Sequence, residues 1–246
     1  MKTLLLAAGG SQAYVDAGYR YPKNLAEVAG KPLVQHVMES LGGLAGDGRL
    51  VAVLAREETR AHRTDQVVRL LEPTATVVHV GTTRGAACSA LMAYDQLPAD
   101  EQLVVASGDA LIDASLTDVI RGFDARGLDA GCVVFSAVHP RWSFVKVSDD
   151  LVVEAGEKNP ISRWATAGFY WFRTAGSFLA ATMRMIEKGA GVEGQYFVCP
   201  ALNELILDGA RIGVHVIDRS DYFSFRDPAE IATFENHLQA GAGAVR

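Results

Sequence analysis

Short apolar runs alternate with longer amphipathic stretches along most of the chain. Short apolar runs bounded by glycine, proline or charged residues are typical of buried strands, whereas apolar positions three and four residues apart are typical of helices. The pattern predicts strands at Thr3–Ala8, Leu50–Ala55, Thr76–Val80, Leu103–Ala106, Gly131–Ala137, Phe144–Val147 and Ile212–Val216. It predicts helices at Lys31–Leu41, Thr59–Leu71, Gly85–Leu97, Ser115–Ala125 and Ser177–Lys188. This alternation predicts an α/β fold with a mainly parallel sheet covered by helices on both faces.

The pattern changes from about Ala130 onwards. Strand-like segments now follow one another with few helices between them: "CVVFSAV", "SFVKVS", "LVVEAG" and "AGFYWFR". We expect them to form a small antiparallel addition that carries the second half of a pocket. We therefore expect a single domain over 1–238, with halves at about 1–130 and 131–238, and a flexible tail over 239–246.

Composition narrows the class of protein. With 246 residues, 49% of them hydrophobic, the chain can bury one large core. The net charge of −6 argues against a broad nucleic-acid surface, because duplex binding needs many clustered cations. No apolar run approaches the ~18 residues of a membrane span, so we expect a cytoplasmic protein without a membrane partner.

The cysteines do not indicate a metal site or a redox site. Cys88, Cys132 and Cys199 lie far apart in apolar surroundings and form no CxxC pair. Buried, reduced thiols are the expected state. The histidines are scattered, and no GxSxG motif indicates a hydrolase triad.

Candidate chemistry follows the strands. In an open parallel sheet, ligands bind beyond the carboxyl ends of the strands. Short segments rich in glycine or charge stand in such places: Gly9-Gly10-Ser11, Gly81–Ala87, Gly108-Asp109 and Glu157-Lys158.

The first two segments suit a nucleotide. Backbone N–H groups of a Gly9-Gly10 turn can cradle phosphate oxygens, and Lys23, directly after Pro22, adds a point charge. The alternatives are a purely structural turn and a surface lysine. In "GTTRGAACSALMA", small side chains let a flat ring approach the backbone at a helix start. A close-packed helix start is the alternative there.

The other two segments suit a metal ion and a small polar molecule. A buried strand delivers Asp109 to the edge of the sheet, and a carboxylate there is a hard oxygen ligand suited to Mg²⁺. We interpret Asp113 as a helix N-cap instead. Glu157, Lys158 and Asn159 interrupt a strand-rich region, which suits recognition of a hydroxylated or charged compound. An ordinary polar hairpin is the alternative.

The order of these features resembles the sugar-phosphate nucleotidyltransferases, the nucleotide-sugar pyrophosphorylases. The resemblance runs from Leu4 to about Phe234 and is greatest for a branch of short capsule-biosynthesis-type proteins. It rests on "AGYRYPKNLAEVAGKPLVQHV", "RGAACSALMA", "HPRWSFVKV", "EKNPIS", "CPALNELI" and "DPAEIATFE". It implies a Rossmann-like sheet of the glycosyltransferase-A type, a nucleotide half followed by an acceptor half, and Mg²⁺ as cofactor.

The resemblance also implies roles for the residues of the nucleotide half. Ala8, Gly9 and Gly10 would line the nucleotide and Lys23 would meet its phosphates. Gly85 and Ala86 would lie by the base, and Asp109 would hold Mg²⁺.

In the acceptor half, the resemblance implies that Glu157, Lys158 and Asn159 face the acceptor, with Lys158 near its phosphate. Asn203 and Glu204 would be further acceptor contacts. Asp227, in "SFRDPAEI", is the candidate second metal ligand, because the family's usual acidic motif is altered here.

One departure from the family concerns the first loop. Its usual arginine is replaced by Ala13, and Ser11 stands at its second glycine. Such a contact can supply several kcal/mol of transition-state stabilisation. Either Arg20 or Arg84 is expected to provide the missing charge.

These features predict an enzyme that transfers a nucleoside monophosphate from a nucleoside triphosphate, with CTP favoured, to a small phosphorylated or phosphonylated acceptor such as a sugar 1-phosphate, and releases pyrophosphate. One alternative is a homologue that keeps the fold and binds nucleotides with little or no transferase activity. A glycosyltransferase that uses a nucleoside diphosphate sugar is the other. The oligomeric state stays open, with a homodimer as one option.

Overall fold

A computed structural model describes residues 1–243, with side chains through Gln239. Its strands are β1 (Lys2–Ala7), β2 (Glu27–Val28), β3 (Lys31–Pro32), β4 (Leu50–Ala55), β5 (Thr76–Val80), β6 (Leu103–Ser107), β7 (Ala110–Ile112), β8 (Ala130–Ser136), β9 (Ser143–Ser148), β10 (Leu151–Glu157), β11 (Trp164–Phe172), β12 (Ile212–Val216) and β13 (Tyr222–Ser224). Its α-helices are α1 (Gln12–Asp16), α2 (Leu33–Leu41), α3 (Arg56–His62), α4 (Thr64–Leu71), α5 (Ala86–Leu91), α6 (Leu116–Ala125), α7 (Ala175–Glu187), α8 (Ala201–Leu207) and α9 (Ile231–Gly243).

The first half of the chain forms the parallel part of a nine-stranded sheet. Strand β1 pairs in parallel with β4 on one side and β6 on the other, and β5 pairs in parallel with β4. Leu4 and Leu5 of β1 are both fully buried although they face opposite sides of the sheet. Helices therefore cover both faces, which confirms the α/β fold predicted from the alternation.

The second half extends the same sheet with mostly antiparallel strands. Strand β11 runs antiparallel to β6, β8 and β9, and β10 pairs antiparallel with β9. Strand β12 pairs in parallel with β8. The pairing of β11 with β8 is interrupted between Thr166 and Tyr170, around Gly168 with φ of 73°. The predicted antiparallel addition is thus present, continuous with the parallel part.

Several predicted helices differ in extent. The helix predicted at Thr59–Leu71 is two helices, α3 and α4, because Arg63 between them adopts a left-handed conformation with φ of 58°. The helix predicted at Gly85–Leu97 ends as α5 at Leu91, and a 3-10 turn follows at Tyr94–Gln96. None of the helices within residues 1–243 combines the length and apolar composition that a membrane span requires.

The described part of the chain ends on α9. This helix includes residues 239–243 of the predicted tail, and residues 244–246 lie outside the described part of the chain. Upstream of α9, β13 pairs antiparallel with β7 in a small separate sheet. The sequence pattern did not predict these two short strands.

The cysteines occupy apolar surroundings. Cys132 and Cys199 are buried and Cys88 is partly buried, all as free thiols. Burial raises the pKa of Cys132 to about 12, so this thiol stays protonated at neutral pH.

Candidate functional site

A cavity of about 660 Å³ opens at the carboxyl ends of β1, β4, β5 and β6. Its opposite wall includes residues of β11, the segment 195–199 and the segment after β13. Seven of the residues singled out in the sequence line it: Ala8, Gly9, Gly10, Lys23, Gly85, Ala86 and Asp109.

The glycine turn after β1 lies against Lys23. A Cβ atom built on Gly9 would lie 3.2 Å from the Lys23 ammonium nitrogen, so a side chain there would require the end of the lysine to shift by a few tenths of an ångström. Ser11 fixes the turn from the other side, because its Oγ accepts from the Lys23 backbone N–H at 3.0 Å and donates to Glu58 at 2.6 Å. The loop is thus tied both to the lysine segment and to α3.

Lys23 and Asp109 form an ion pair in the cavity wall. Lys23 Nζ lies 2.8 Å from Asp109 Oδ2, with side chains 6% and 17% exposed. The Ser107 hydroxyl donates to the other carboxylate oxygen at 2.6 Å. Burial alone would raise the pKa of Asp109, but the positive charges of Lys23 and Arg226 and these hydrogen bonds hold it well below its usual range. The carboxylate is therefore ionised at neutral pH.

Asp109 fits a magnesium ion that arrives with phosphates. Among the described residues, no group of three or more His, Cys, Asp or Glu side chains is placed to hold a metal ion. Mg²⁺ commonly takes one or two protein carboxylates, and phosphates and waters complete its shell. One ionised carboxylate on the cavity wall meets that need.

Asp227, the candidate second metal ligand, lies outside the cavity lining. Its side chain is exposed, is not among the residues that line the cavity, and accepts from the Ala229 backbone N–H at 2.9 Å. It thereby caps the 3-10 helix Pro228–Glu230. The geometry thus gives Asp227 a capping role, and its role as second metal ligand stays a prediction from the sequence.

Gly85 fits both interpretations given for its segment, a close-packed helix start and a small surface that faces a ligand. It has φ of 106°, and a Cβ atom there would lie 2.3 Å from the backbone oxygen of Tyr196. Ala87 N–H also donates to that oxygen at 3.1 Å. The start of α5 is therefore close-packed, and Gly85 and Ala86 also present small surfaces to the cavity.

Neither arginine expected to replace the missing loop cation lines the cavity. Arg20 is exposed and lies over the Tyr21 ring at 5.5 Å. Arg84 is exposed, lies over the Tyr196 ring at 5.1 Å and donates to the Gly194 carbonyl. Both guanidinium groups are engaged outside the cavity in this conformation.

Sequence reasoning missed Arg226, which does line the cavity. Tyr222 lines it too, while Phe223 and Phe225 pack against Phe234 of α9. This is the two-residue alternation of an extended segment. The alternation in "YFSFR" is the sequence signal that could have placed Tyr222 and Arg226 on one face.

The predicted acceptor residues lie at the border of the cavity. Glu157 is buried at the end of β10 and accepts from the hydroxyl of Ser143, which lines the cavity. Lys158 pairs with Glu193 at 2.5 Å and lies 5.7 Å from the ring centre of Phe197, another lining residue. Asn159 is exposed. None of the three is among the lining residues.

Asn203 and Glu204 have structural partners away from the cavity. Asn203 accepts from the Ala155 N–H and donates to the Ala155 carbonyl, both at 2.8 Å, and so clamps β10 to α8. Glu204 is buried and pairs with Lys188 at 2.7 Å and Arg184 at 3.6 Å. Their hydrogen-bonding capacity serves packing between elements, and the structure does not bring them to the site.

Comparison with known sequences gives nucleotidyltransferases as relatives. No family model matches the chain. It is 28% identical to the UTP–glucose-1-phosphate uridylyltransferase AglF of Haloferax volcanii, over 98% of this chain and 99% of that protein. It is 28% identical to a glucose-1-phosphate thymidylyltransferase of Streptomyces antibioticus, over 89% of this chain and 61% of that protein.

Solved structures share the fold. A nucleoside-diphosphate-sugar pyrophosphorylase from Vibrio cholerae superposes with a TM-score of 0.83 at 23% identity, over 95% of this chain and 99% of that one. The inositol-1-phosphate CTP transferase from T. maritima gives 0.68 at 17% identity, over 93% and 90%. The relatives and structural neighbours of this chain are thus sugar-phosphate nucleotidyltransferases, which confirms the resemblance seen in the motifs.

Proposed function

We propose that this protein transfers a nucleoside monophosphate from a pyrimidine nucleoside triphosphate to a sugar 1-phosphate and releases pyrophosphate. The observation that carries the proposal is the Lys23–Asp109 pair in a cavity bounded by the Gly9-Gly10 turn and the Gly85-Ala86 helix start. Similarity over the full length of a uridylyltransferase supports it.

In this reaction a phosphate oxygen of the acceptor attacks the α-phosphorus of the triphosphate. A new phosphorus–oxygen bond forms, the bond from the α-phosphorus to the oxygen bridging to the β-phosphorus breaks, and pyrophosphate leaves with the electron pair. The protein's work in such a transfer is positioning and charge neutralisation. Backbone N–H groups of the turn would hold phosphate oxygens, and Lys23 would neutralise them.

Asp109 is the residue that would hold Mg²⁺. Bound there, the ion would supply positive charge to the phosphate oxygens of the substrate. Lys23 would then exchange its contact with Asp109 for a contact with a phosphate. The two groups would pair with each other in the free protein and bind the ion and the phosphate in the complex.

A pyrimidine is the proposed base. The relatives' names specify UTP or a thymidylyl group, and that of one structural neighbour specifies CTP. CTP, favoured from the sequence, stays a prediction among these three.

The acceptor is proposed to lie beside Glu157, Lys158 and Asn159. Lys158 already lies next to a lining aromatic ring, and its partner Glu193 has a side chain 71% exposed. An exposed ion pair is weak, so an acceptor phosphate can displace the glutamate at small cost.

Pyrophosphate release tests the proposal. The protein would be incubated with Mg²⁺, each of UTP, dTTP and CTP, and a panel of sugar 1-phosphates. Release with at least one pair, dependent on the acceptor, is expected. Nucleotide binding without release from any pair would favour the binding homologue, and turnover of a nucleoside diphosphate sugar would favour the glycosyltransferase.

A further inference from the structure

Among the described residues, three cationic side chains line the cavity, and they differ in their hydrogen-bond and ion-pair partners. Lys23 is paired with Asp109 at 2.8 Å. Arg56 donates to the His79 carbonyl at 3.4 Å. Arg226 makes neither an ion pair nor a side-chain hydrogen bond with any residue that the structure describes. Arg226 is an exposed residue at the cavity wall, and its guanidinium donors are free to meet a ligand.

The backbone on both sides of Arg226 is anchored. Phe225 is fully buried, its N–H donates to the Asp109 carbonyl at 2.8 Å, and its own carbonyl accepts from the Tyr14 hydroxyl at 2.9 Å. Asp227 caps the following 3-10 helix. These contacts tie Arg226 to the strand end that carries Asp109 and to the helix after the first turn.

The charges around Arg226 come from both halves of the site. Burial lowers the pKa of Arg226, but the negative charges of Asp109 and Glu157 outweigh that effect and raise it. The guanidinium is therefore positively charged and forms no direct ion pair with a described residue. A planar group with several donors in this position suits phosphate oxygens.

We propose that Arg226 binds phosphate oxygens of the reactants beside Asp109 and is the phosphate-binding cation that neither Arg20 nor Arg84 provides. This inference rests on the proposed function for the identity of the reactants. Its geometry is independent of that function, because it concerns an unpaired guanidinium that lines the same cavity as an ionised carboxylate.

The test compares Arg226→Gln and Arg226→Lys with the wild type. Arg226→Gln is expected to lower kcat/KM for pyrophosphate release about 100-fold, as for other lost transition-state contacts. Arg226→Lys should recover part of the rate because it keeps the charge. Calorimetry should show affinity for UTP and inorganic pyrophosphate falling about tenfold or more in Arg226→Gln, with uridine affinity unchanged. Arg121→Gln, whose side chain is 75% exposed on α6, serves as control and should match the wild type in all readouts.

The outcomes separate the two proposals. If the wild type releases no pyrophosphate but its UTP affinity depends on Arg226, the transferase function fails and the phosphate role stands. If the wild type turns over and Arg226→Gln matches it in rate and affinity, the phosphate role is wrong. Equal loss of uridine and UTP affinity, or a lower thermal midpoint shared by both variants, would reveal a structural role and overturn it as well.

Discussion

The ammonium of Lys23 lies 2.8 Å from the carboxylate of Asp109, although 86 residues separate them in the chain. The glycine turn after β1 lies against Lys23, and Asp109 lies two residues after the end of β6. The positive charge of Lys23 helps to lower the pKa of Asp109 in a poorly solvated place, so the carboxylate is ionised. Both charges that the proposed reaction needs are therefore present and positioned before any substrate binds.

Replacing Asp109 by Asn should lower turnover about 100-fold or more, because the proposed magnesium ligand loses its charge. Steady-state pyrophosphate release would measure the change. Asp113→Asn is the matched control, since Asp113 lies four residues away with a side chain 61% exposed. Equal rates for Asp109→Asn and the wild type would remove Asp109 from the mechanism.

The Lys23–Asp109 ion pair should also contribute to the free energy of unfolding. Lys23→Met or Asp109→Asn alone leaves one charge buried without its partner, which costs about 3 kcal/mol in buried pairs. The double variant should lose less than the sum of the single losses, with a coupling of about 1–3 kcal/mol. Urea denaturation of the four proteins measures this cycle. Additive losses would mean that the two groups do not stabilise each other.

Gly85→Ala should destabilise the fold by about 2 kcal/mol or more. The new Cβ atom would lie 2.3 Å from the Tyr196 carbonyl oxygen, and alanine strongly disfavours φ of 106°. Gly81→Ala is the control, because nothing lies within 4 Å of its added Cβ atom. Chemical denaturation would compare the two, and equal stability of both variants would contradict the close approach at Gly85.

Glu157 should make stability depend on pH. Burial raises its pKa, so the folded protein holds this proton more tightly than the unfolded chain does. Its contribution to stability is then greatest below the unfolded pKa and falls as pH rises through the folded value. Glu157→Gln should therefore gain thermal midpoint relative to the wild type at pH 8 more than at pH 4. A difference independent of pH would contradict the raised pKa.

Asn203→Ala should lower stability by about 2 kcal/mol, because it removes both hydrogen bonds to Ala155. Asn159→Ala changes the same side chain at an exposed position and should leave the thermal midpoint unchanged. A calorimetric scan would compare them. If Asn203→Ala kept full stability but raised the acceptor KM, Asn203 would be an acceptor contact after all.

The sequence predicted best what is local. Gly9 and Asp109 lie two residues beyond the ends of β1 and β6, and Gly85 opens the helix that follows β5. Strands of a parallel sheet end at a common edge, so these motifs meet in one cavity. Arg226 reaches that cavity through the pairing of β13 with β7, a contact between distant segments that no local pattern encodes.

Asn203 and Glu204, which only the family resemblance named, lie away from the cavity lining. Asn203 and Glu204 have their polar groups satisfied by Ala155 and by Lys188 with Arg184, and a sequence motif cannot reveal which partner a side chain finds. The break at Arg63 was also hidden, because both segments beside it have helical periodicity.

A label on the α-phosphorus tests most directly whether the protein transfers a nucleoside monophosphate to a sugar 1-phosphate. UTP carrying radioactive phosphorus at the α position would be incubated with the protein, Mg²⁺ and each member of a panel of sugar 1-phosphates, and dTTP and CTP would be tested alongside. The label is expected to move into a nucleotide sugar while unlabelled pyrophosphate is released, and Asp109→Asn is expected to slow both about 100-fold or more. Label that stays in the triphosphate with all three nucleotides and every sugar phosphate, or that appears in a nucleoside monophosphate, would contradict it.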